Sequence, residues 1–313
     1  MLKKSALRRI ITASLALIIV SILYFFPDTN NLNEIKQTTT YVSVNTSPIY
    51  LINKDNYVIR TNLVIKTEDT IDKIKELLNA LIMDSEKSEY IPKNFKAIIP
   101  KNTKILELSL NNNLLKINFS KEFLNVPKEN EEKLIEAIVY TLTELPEVKQ
   151  IIIFVENEKL IKLPQTNLIL PNILDRNYGI NKVYDITSIK DLSKTTIYYI
   201  GKEEDLTYYI PVTKINNKQD NKIEIIIEEL KSSPIYETNL ISYLASSVEL
   251  LNYETLENQI NLTFNNEIFN NFNNKDILEE VKYSISLSLK DTLNVKEVIF
   301  KVDNEIIETF KEN

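Results

Sequence analysis

The chain of 313 residues has no histidine, no cysteine and no tryptophan, and its only glycines are Gly179 and Gly201. Without histidine or cysteine, the common general acid and base, the reactive thiol and the usual zinc ligands are missing. Disulfides and a lipid-modified cysteine anchor are excluded with them. Dinucleotide and P-loop fingerprints need several glycines close together, so two glycines 22 residues apart fit neither. Arginine is scarce as well: beyond Arg9 only Arg60 and Arg176 remain. That leaves no cluster to grip phosphates and argues against a nucleic-acid partner. No catalytic, cofactor-binding or metal-binding residue is expected, no cofactor is implied, and the chain reads as a non-enzyme.

What is present is a composition that folds, with 43% hydrophobic and 26% charged residues, at a length suited to about two domains. The net charge is −7, although four cations, Lys3, Lys4, Arg8 and Arg9, precede the uncharged run IITASLALIIVSILYFF from Ile10 to Phe26. As a helix this run is about 25 Å long. Eleven of its residues are Leu, Ile, Val or Phe, which favours insertion into a bilayer by a few kcal/mol. A basic flank followed by an apolar run is the secretory pattern, but the run is long for a signal peptide and no small-x-small site follows it. The expectation is an uncleaved, single-pass transmembrane anchor within 1–27, N-terminus cytoplasmic and bulk extracytoplasmic. Residues 28–47 are polar and aperiodic and read as a tether.

The rest repeats itself. IDKIKELLNALI at 71–82 places Ile71, Ile74, Leu77, Leu78 and Leu81 on one helical face, and KIEIIIEEL at 222–230 does the same with Ile223, Ile226, Ile227 and Leu230. Leu115, Ile117 and Phe119 alternate with polar residues, as do Ile260, Leu262 and Phe264, so each segment reads as a strand with one buried face. A second helix follows in each copy, through Leu134, Ile138 and Leu142 or through Val281, Ile285 and Leu289, and leads into VKQIIIFVENE at 148–158 or VKEVIFKVDNE at 295–305. The offsets between copies stay at 145 to 149 residues, which indicates duplication. Strand pairs at Ile49–Ile52 with Tyr57–Ile65, and at Thr196–Ile200 with Leu206–Thr213, open the copies. The expected architecture is α+β, with two tandem modules at 48–163 and 196–310, each packing two helices on one face of a small mixed sheet. Residues 164–195, with Pro164, Pro171 and Gly179, read as a linker.

These residues resemble a known family. IPKNTKILELSLNNNLLKINFSKEF at 99–123 and IVYTLTELPEVKQIIIFVENEKL at 138–160 are similar to the GerMN domain of GerM-type sporulation and spore-germination proteins. The shared points are the Ile99-Pro100 entry, Asn118-Phe119-Ser120 before Glu122-Phe123, the helix end Thr141-Leu142-Thr143 and the final apolar strand with its polar turn. The second copy keeps mainly the pattern and the VKEVIFKVDNE end. The resemblance implies a ring-building type of fold and work between the mother-cell and forespore membranes, in the channel complex that joins them. Its implied partners are further copies of itself and other sporulation channel proteins. Two departures stand out. Family members are often lipoproteins, whereas this chain has no cysteine, and their turns are richer in glycine, where this chain has Asn111-Asn112-Asn113, Asn157 and Asn304.

Candidate chemistry is weak against that background. The acid pairs Glu131-Glu132, Glu228-Glu229 and Glu279-Glu280 fall on helices, where neighbours diverge by about 100°, so solvated faces are expected. Asp303-Asn304-Glu305 superficially offers oxygen ligands for a cation but matches the hairpin turn Glu156-Asn157-Glu158 of the other copy. Ser120 with Lys121, and Ser193 with Lys194, are strand neighbours facing opposite sides. The expected function is a non-enzymatic structural component of a sporulation or germination envelope assembly. The alternative is an extracytoplasmic module that binds cell-wall material or a cell-wall enzyme through exposed tyrosines among the 16 present.

Overall fold

A computed structural model describes Leu17 and residues 45–311, apart from 205, 218, 233–238 and 272. The chain divides into 1–43 and 44–313. The expected transmembrane segment and most of the tether lie outside the described residues; among the described residues no helix is long and apolar enough to cross a membrane.

The first copy opens with β1 (Thr46–Ile52) and β2 (Val58–Val64), an antiparallel hairpin. α1 (Thr70–Leu81) follows, started by Asp69, whose carboxylate accepts the Asp72 amide. β3 (Ile105–Asn111) and β4 (Leu114–Phe119) form a second hairpin, and α2 (Glu131–Leu142) crosses back so that β5 (Gln150–Val155) lies parallel to β4, with the short β6 (Glu158–Lys159) beside it. After β7 (Val183–Asp185) the second copy repeats the order. It comprises β8 (Ser193–Glu203), β9 (Leu206–Asn216), α3 (Lys222–Lys231), β10 (Leu250–Leu256), β11 (Gln259–Phe264), α4 (Glu279–Leu293), β12 (Glu297–Val302) and β13 (Glu305–Lys311).

Each copy thus owns a four-stranded mixed sheet, β3-β4-β5-β6 or β10-β11-β12-β13, whose central pair is parallel. Phe119 stacks on Phe123 at 4.4 Å in the first core, and Phe264 lies against Phe300 at 6.2 Å in the second. Leu77, Leu142, Ile153, Ile226 and Leu289 are buried with them. Two glycines suffice for this many turns because asparagine and its neighbours take the left-handed conformation. Asn112-Asn113, Glu156-Asn157 and Asp303-Asn304 all have positive φ, as two-residue hairpin turns require.

The opening hairpins do something that alternation alone does not reveal. β1-β2 and β8-β9 leave their own modules' sheets and join each other, with β2 antiparallel to β9 at Arg60 opposite Tyr209, and β7 parallel beside the end of β9. The unbroken buried runs Ile49–Ile52 and Thr195–Gly201 show cover on both faces of this shared sheet. Its outer edges are closed by loop bridges, Ile52 to Lys96 and Ile200 to Ile241.

One expectation needs correction. The helices do not simply cover one sheet: α2 is buried around its circumference, through Leu134, Ile135, Ala137, Ile138 and Val139, because β1 packs on the side away from its own sheet. The Tyr50 amide of β1 donates to Thr141 Oγ1 at 2.9 Å, and the Tyr198 amide of β8 donates to Ser288 Oγ of α4 at 2.8 Å. The linker 164–195 is packed against the modules. Leu170, Leu174 and Ile180 are buried, Leu174 bridges Ile151, and Asn181 bonds the backbone of Val58 and Pro211. At either end the strands run further than the hydrophobic pattern indicates, since Thr46 pairs with Val64 and Ser193 with Asn216.

Candidate functional site at the module junction

The two arginines that the folded part contains both go to one place, the joint between the modules. Glu144, just past the end of α2, and Asp291, in the last turns of α4, stand 147 residues apart at matching positions of the repeat. Both side chains are 2% exposed. Arg176, from the strap between the copies, reaches both: Nη2 lies 2.6 Å from Glu144 Oε1, and Nη1 contacts Asp291 Oδ1. Lys290 Nζ donates to Glu144 Oε2 at 3.0 Å, and Arg60 Nε lies 3.5 Å from Oε1.

The tyrosines repeat the same symmetry. Tyr50 OH donates to Glu144 at 2.7 Å, Tyr198 OH lies 2.5 Å from Asp291 Oδ2, and the two hydroxyls are 2.9 Å apart. Tyr50 and Tyr198 are 148 residues apart, so a residue here contacts its own duplicate. Together with the antiparallel pairing of β2 with β9, this marks a local two-fold axis between the modules, an isologous interface built inside one chain. Arg176 breaks the symmetry. It is single, stacks over the Tyr140 ring at 4.7 Å, and accepts from Tyr140 OH at its carbonyl.

Burial dominates the electrostatics. It pushes the Tyr50 and Tyr198 hydroxyls well above their usual pKa, with the carboxylates Glu144 and Asp291 adding to the effect. For Glu144 burial acts upward too, but Arg176, Arg60 and Lys290 outweigh it and hold the carboxyl well below the usual range. For Asp291 burial wins over Arg176, and its pKa is raised. Dyad-related carboxyls are thus driven apart by unequal numbers of neighbouring cations. Chemically the arrangement is a lock: a buried, hydrogen-bonded ionic network that ties the two modules together.

The acid pairs singled out in the sequence do not converge here. Glu131 is buried, contrary to the solvated-face reading, because its carboxylate accepts the amides of Gln165 and Thr166 at 2.7 Å each as the strap folds back over the start of α2. Glu132 pairs with Lys182, which also meets buried Glu136. Glu228 and Glu229 pair with Lys231 and Lys214, while Glu279 and Glu280 line a groove with Arg60, Tyr209 and Tyr283. Asp303 and Asn304 form a turn, with Glu305 opening β13. Ser120 caps back onto the Lys104 amide. Ser193 receives Lys222 rather than Lys194, but it is 7% exposed and the ammonium is shared with Thr195. This pins the first turn of α3 to β8 and exposes no nucleophile.

The junction was missed because neither carboxyl looks unusual in sequence. The available signal was arginine itself: in a chain that otherwise uses lysine, two isolated arginines mark places where a planar, multidentate cation is needed.

Comparison with known proteins places these observations. The Germane family model, described as sporulation and spore germination, matches residues 48–161 and 196–308. The spore germination protein GerM of Bacillus subtilis (strain 168) is 31% identical over 265 residues, covering 82% of this chain and 71% of that protein. Among solved structures, the tandem GerMN domains of the sporulation protein GerM from Bacillus subtilis align with a TM-score of 0.77 at 26% identity, covering 87% of this chain and 98% of that one.

Proposed function

Since the chain belongs to the Germane family of sporulation and spore germination proteins, we propose that it is a non-enzymatic structural component of a sporulation or germination envelope assembly. In this reading the apolar run at 10–26 anchors it in the mother-cell membrane, with the modules facing the intermembrane space. Rigid two-module units of the ring-building type then self-associate there, beside other sporulation channel proteins. One observation carries the proposal: the strand pairing and ionic junction fuse the duplicated modules into a single block, as a stiff repeating unit requires. A closed ring needs a heterologous contact between different patches on successive units.

The test is crosslinking in sporulating cells between introduced cysteines, for example Lys116→Cys on the first module's sheet with Glu224→Cys on α3. The absence of native cysteine makes this clean. Ladders of dimer, trimer and higher species are expected across a panel of such pairs. A panel without ladders, in cells that still form spores, refutes the assembly.

A second reading has one observation in its favour. A cleft of about 930 Å³ lies in the first module between the 83–102 loop and the 122–130 turn, lined by Ile91, Phe95, Lys96 and Pro127 among others. It suits a module that binds cell-wall material or a cell-wall enzyme. Retention on purified peptidoglycan without self-association would favour that reading.

A further inference from the structure

We propose that the folded chain keeps one carboxylic proton on Asp291, completing a hydrogen-bond chain Asp291–Tyr198–Tyr50–Glu144 across the joint, and that losing this proton loosens the two modules. Four oxygens in a row make three contacts of 2.5, 2.9 and 2.7 Å, each within hydrogen-bond range and each requiring one hydrogen between its oxygens. The two tyrosine hydroxyls supply two hydrogens. With both carboxyls ionised, each tyrosine donates outward to its own acid and the Tyr50–Tyr198 contact faces lone pair to lone pair. One carboxylic hydrogen removes the conflict: Asp291 donates to Tyr198, Tyr198 to Tyr50, and Tyr50 to Glu144.

The proton belongs at the Asp291 end because the surroundings differ. Glu144 is faced by Arg176, Arg60 and Lys290, whereas Asp291 is held by Arg176, from the strap, with Lys290 as its further neighbouring cation. Every packed element contributes a group: Tyr50 from β1, Arg60 from β2, Tyr140 from α2, Arg176 from the strap, Tyr198 from β8 and Lys290 from α4. Arg176 and Lys290 favour the ionised form of Asp291, but burial and the negative charge of Glu144 oppose them, and burial is the largest influence. The contact to Tyr198 Oη is a hydrogen bond whichever of the two oxygens carries the hydrogen, and Asp291 Oδ1 accepts from Arg176. A carboxyl whose folded pKa is raised contributes stability below its unfolded pKa and loses it as pH rises through the folded value. The junction therefore slackens towards alkali and tightens towards acid, down to the low pH at which Glu144 itself protonates.

Asp291→Asn tests this directly, since asparagine has the shape and the donor–acceptor pattern of the protonated acid. Urea unfolding of the full chain in mild detergent, followed by circular dichroism from pH 5.5 to 9, should give a midpoint for Asp291→Asn at or above that of the parent at pH 7.5. A fall of the parent midpoint with rising pH should be absent in the variant. The infrared difference spectrum, parent minus variant at neutral pH, should contain a protonated-carboxyl C=O band. A variant that unfolds at markedly lower urea than the parent, or fails to fold, or a difference spectrum without that band, overturns the proposal.

Discussion

Glu144→Gln is the most demanding test of the junction. The Glu144 carboxylate is 2% exposed and accepts from Tyr50 OH at 2.7 Å, Arg176 Nη2 at 2.6 Å and Lys290 Nζ at 3.0 Å, with Arg60 Nε at 3.5 Å. Glutamine keeps one acceptor oxygen and turns the other into an NH₂ group facing cations. Removing one partner of a buried ion pair costs about 3–5 kcal/mol, a large part of the roughly 5–15 kcal/mol that holds a typical domain. At roughly 1–3 kcal/mol per molar urea, the unfolding midpoint should fall by about 1 M or more. The pH dependence gives a second handle. Burial raises the Glu144 pKa, but Arg176, Arg60 and Lys290 depress it further than burial lifts it. Its stabilisation is therefore fully present above the unfolded carboxyl value near 4.5 and drains away as pH falls towards the folded value. At about 1.4 kcal/mol per pH unit, the gap between parent and variant should shrink by roughly 2 kcal/mol between pH 4.5 and pH 3. A gap under about 1 kcal/mol at pH 7, or one that stays constant into acid, would refute the reasoning.

Two further substitutions probe the cores, with urea denaturation as the readout. Phe119 is fully buried and stacked on Phe123, so Phe119→Ala should cost about 3–5 kcal/mol; a cost near zero would contradict the β4 register. Ser286 is fully buried on α4 and its hydroxyl has no partner, so Ser286→Ala should raise stability by up to about 1 kcal/mol. A loss of that size would mean the hydroxyl is satisfied.

Residues whose spacing repeats were easy to read. Ile74, Leu77, Leu78 and Leu81 fall on the buried face of α1, and Leu115, Ile117 and Phe119 on the buried face of β4, because a 3.6 or 2.0 period needs only one covered side to show itself. What periodicity does not encode is the identity of the covering surface. The run Ile49–Ile52 announces two-sided cover, yet nothing local says that its hairpin joins the other copy's through β2 and β9, or that Tyr50 meets Tyr198. Likewise Glu144 and Asp291 sit near helix ends, where acids are ordinarily solvated, and only the tertiary approach of Arg176 makes them a pair. The strap hid for a different reason: its prolines and glycine look like a linker, while its few anchors, Leu170, Leu174 and Ile180, are too widely spaced to form a pattern.

The second core differs from the first in a way the shared architecture conceals. Where α2 presents Ala137, Val139 and Thr141 to its surroundings, α4 presents Ser284, Ser286 and Ser288, all buried, and the hydroxyls of Ser284 and Ser286 are unpartnered. The two modules are alike in shape but unlike in the quality of their interiors.

The near-equivalence across the Tyr50–Tyr198 contact also bears on direction. Near the dyad such a block has no head and no tail: turned through half a revolution, Tyr50 and Tyr198, and β2 and β9, change places. If such blocks circled a common axis with their dyads pointing radially, the upper and lower rims would be near copies of each other, whatever the number of members. Up and down would then be distinguished only by what the dyad does not relate. That amounts to the sequence differences between the copies, the single strap crossing at Arg176, and the fact that the chain enters the block ahead of β1.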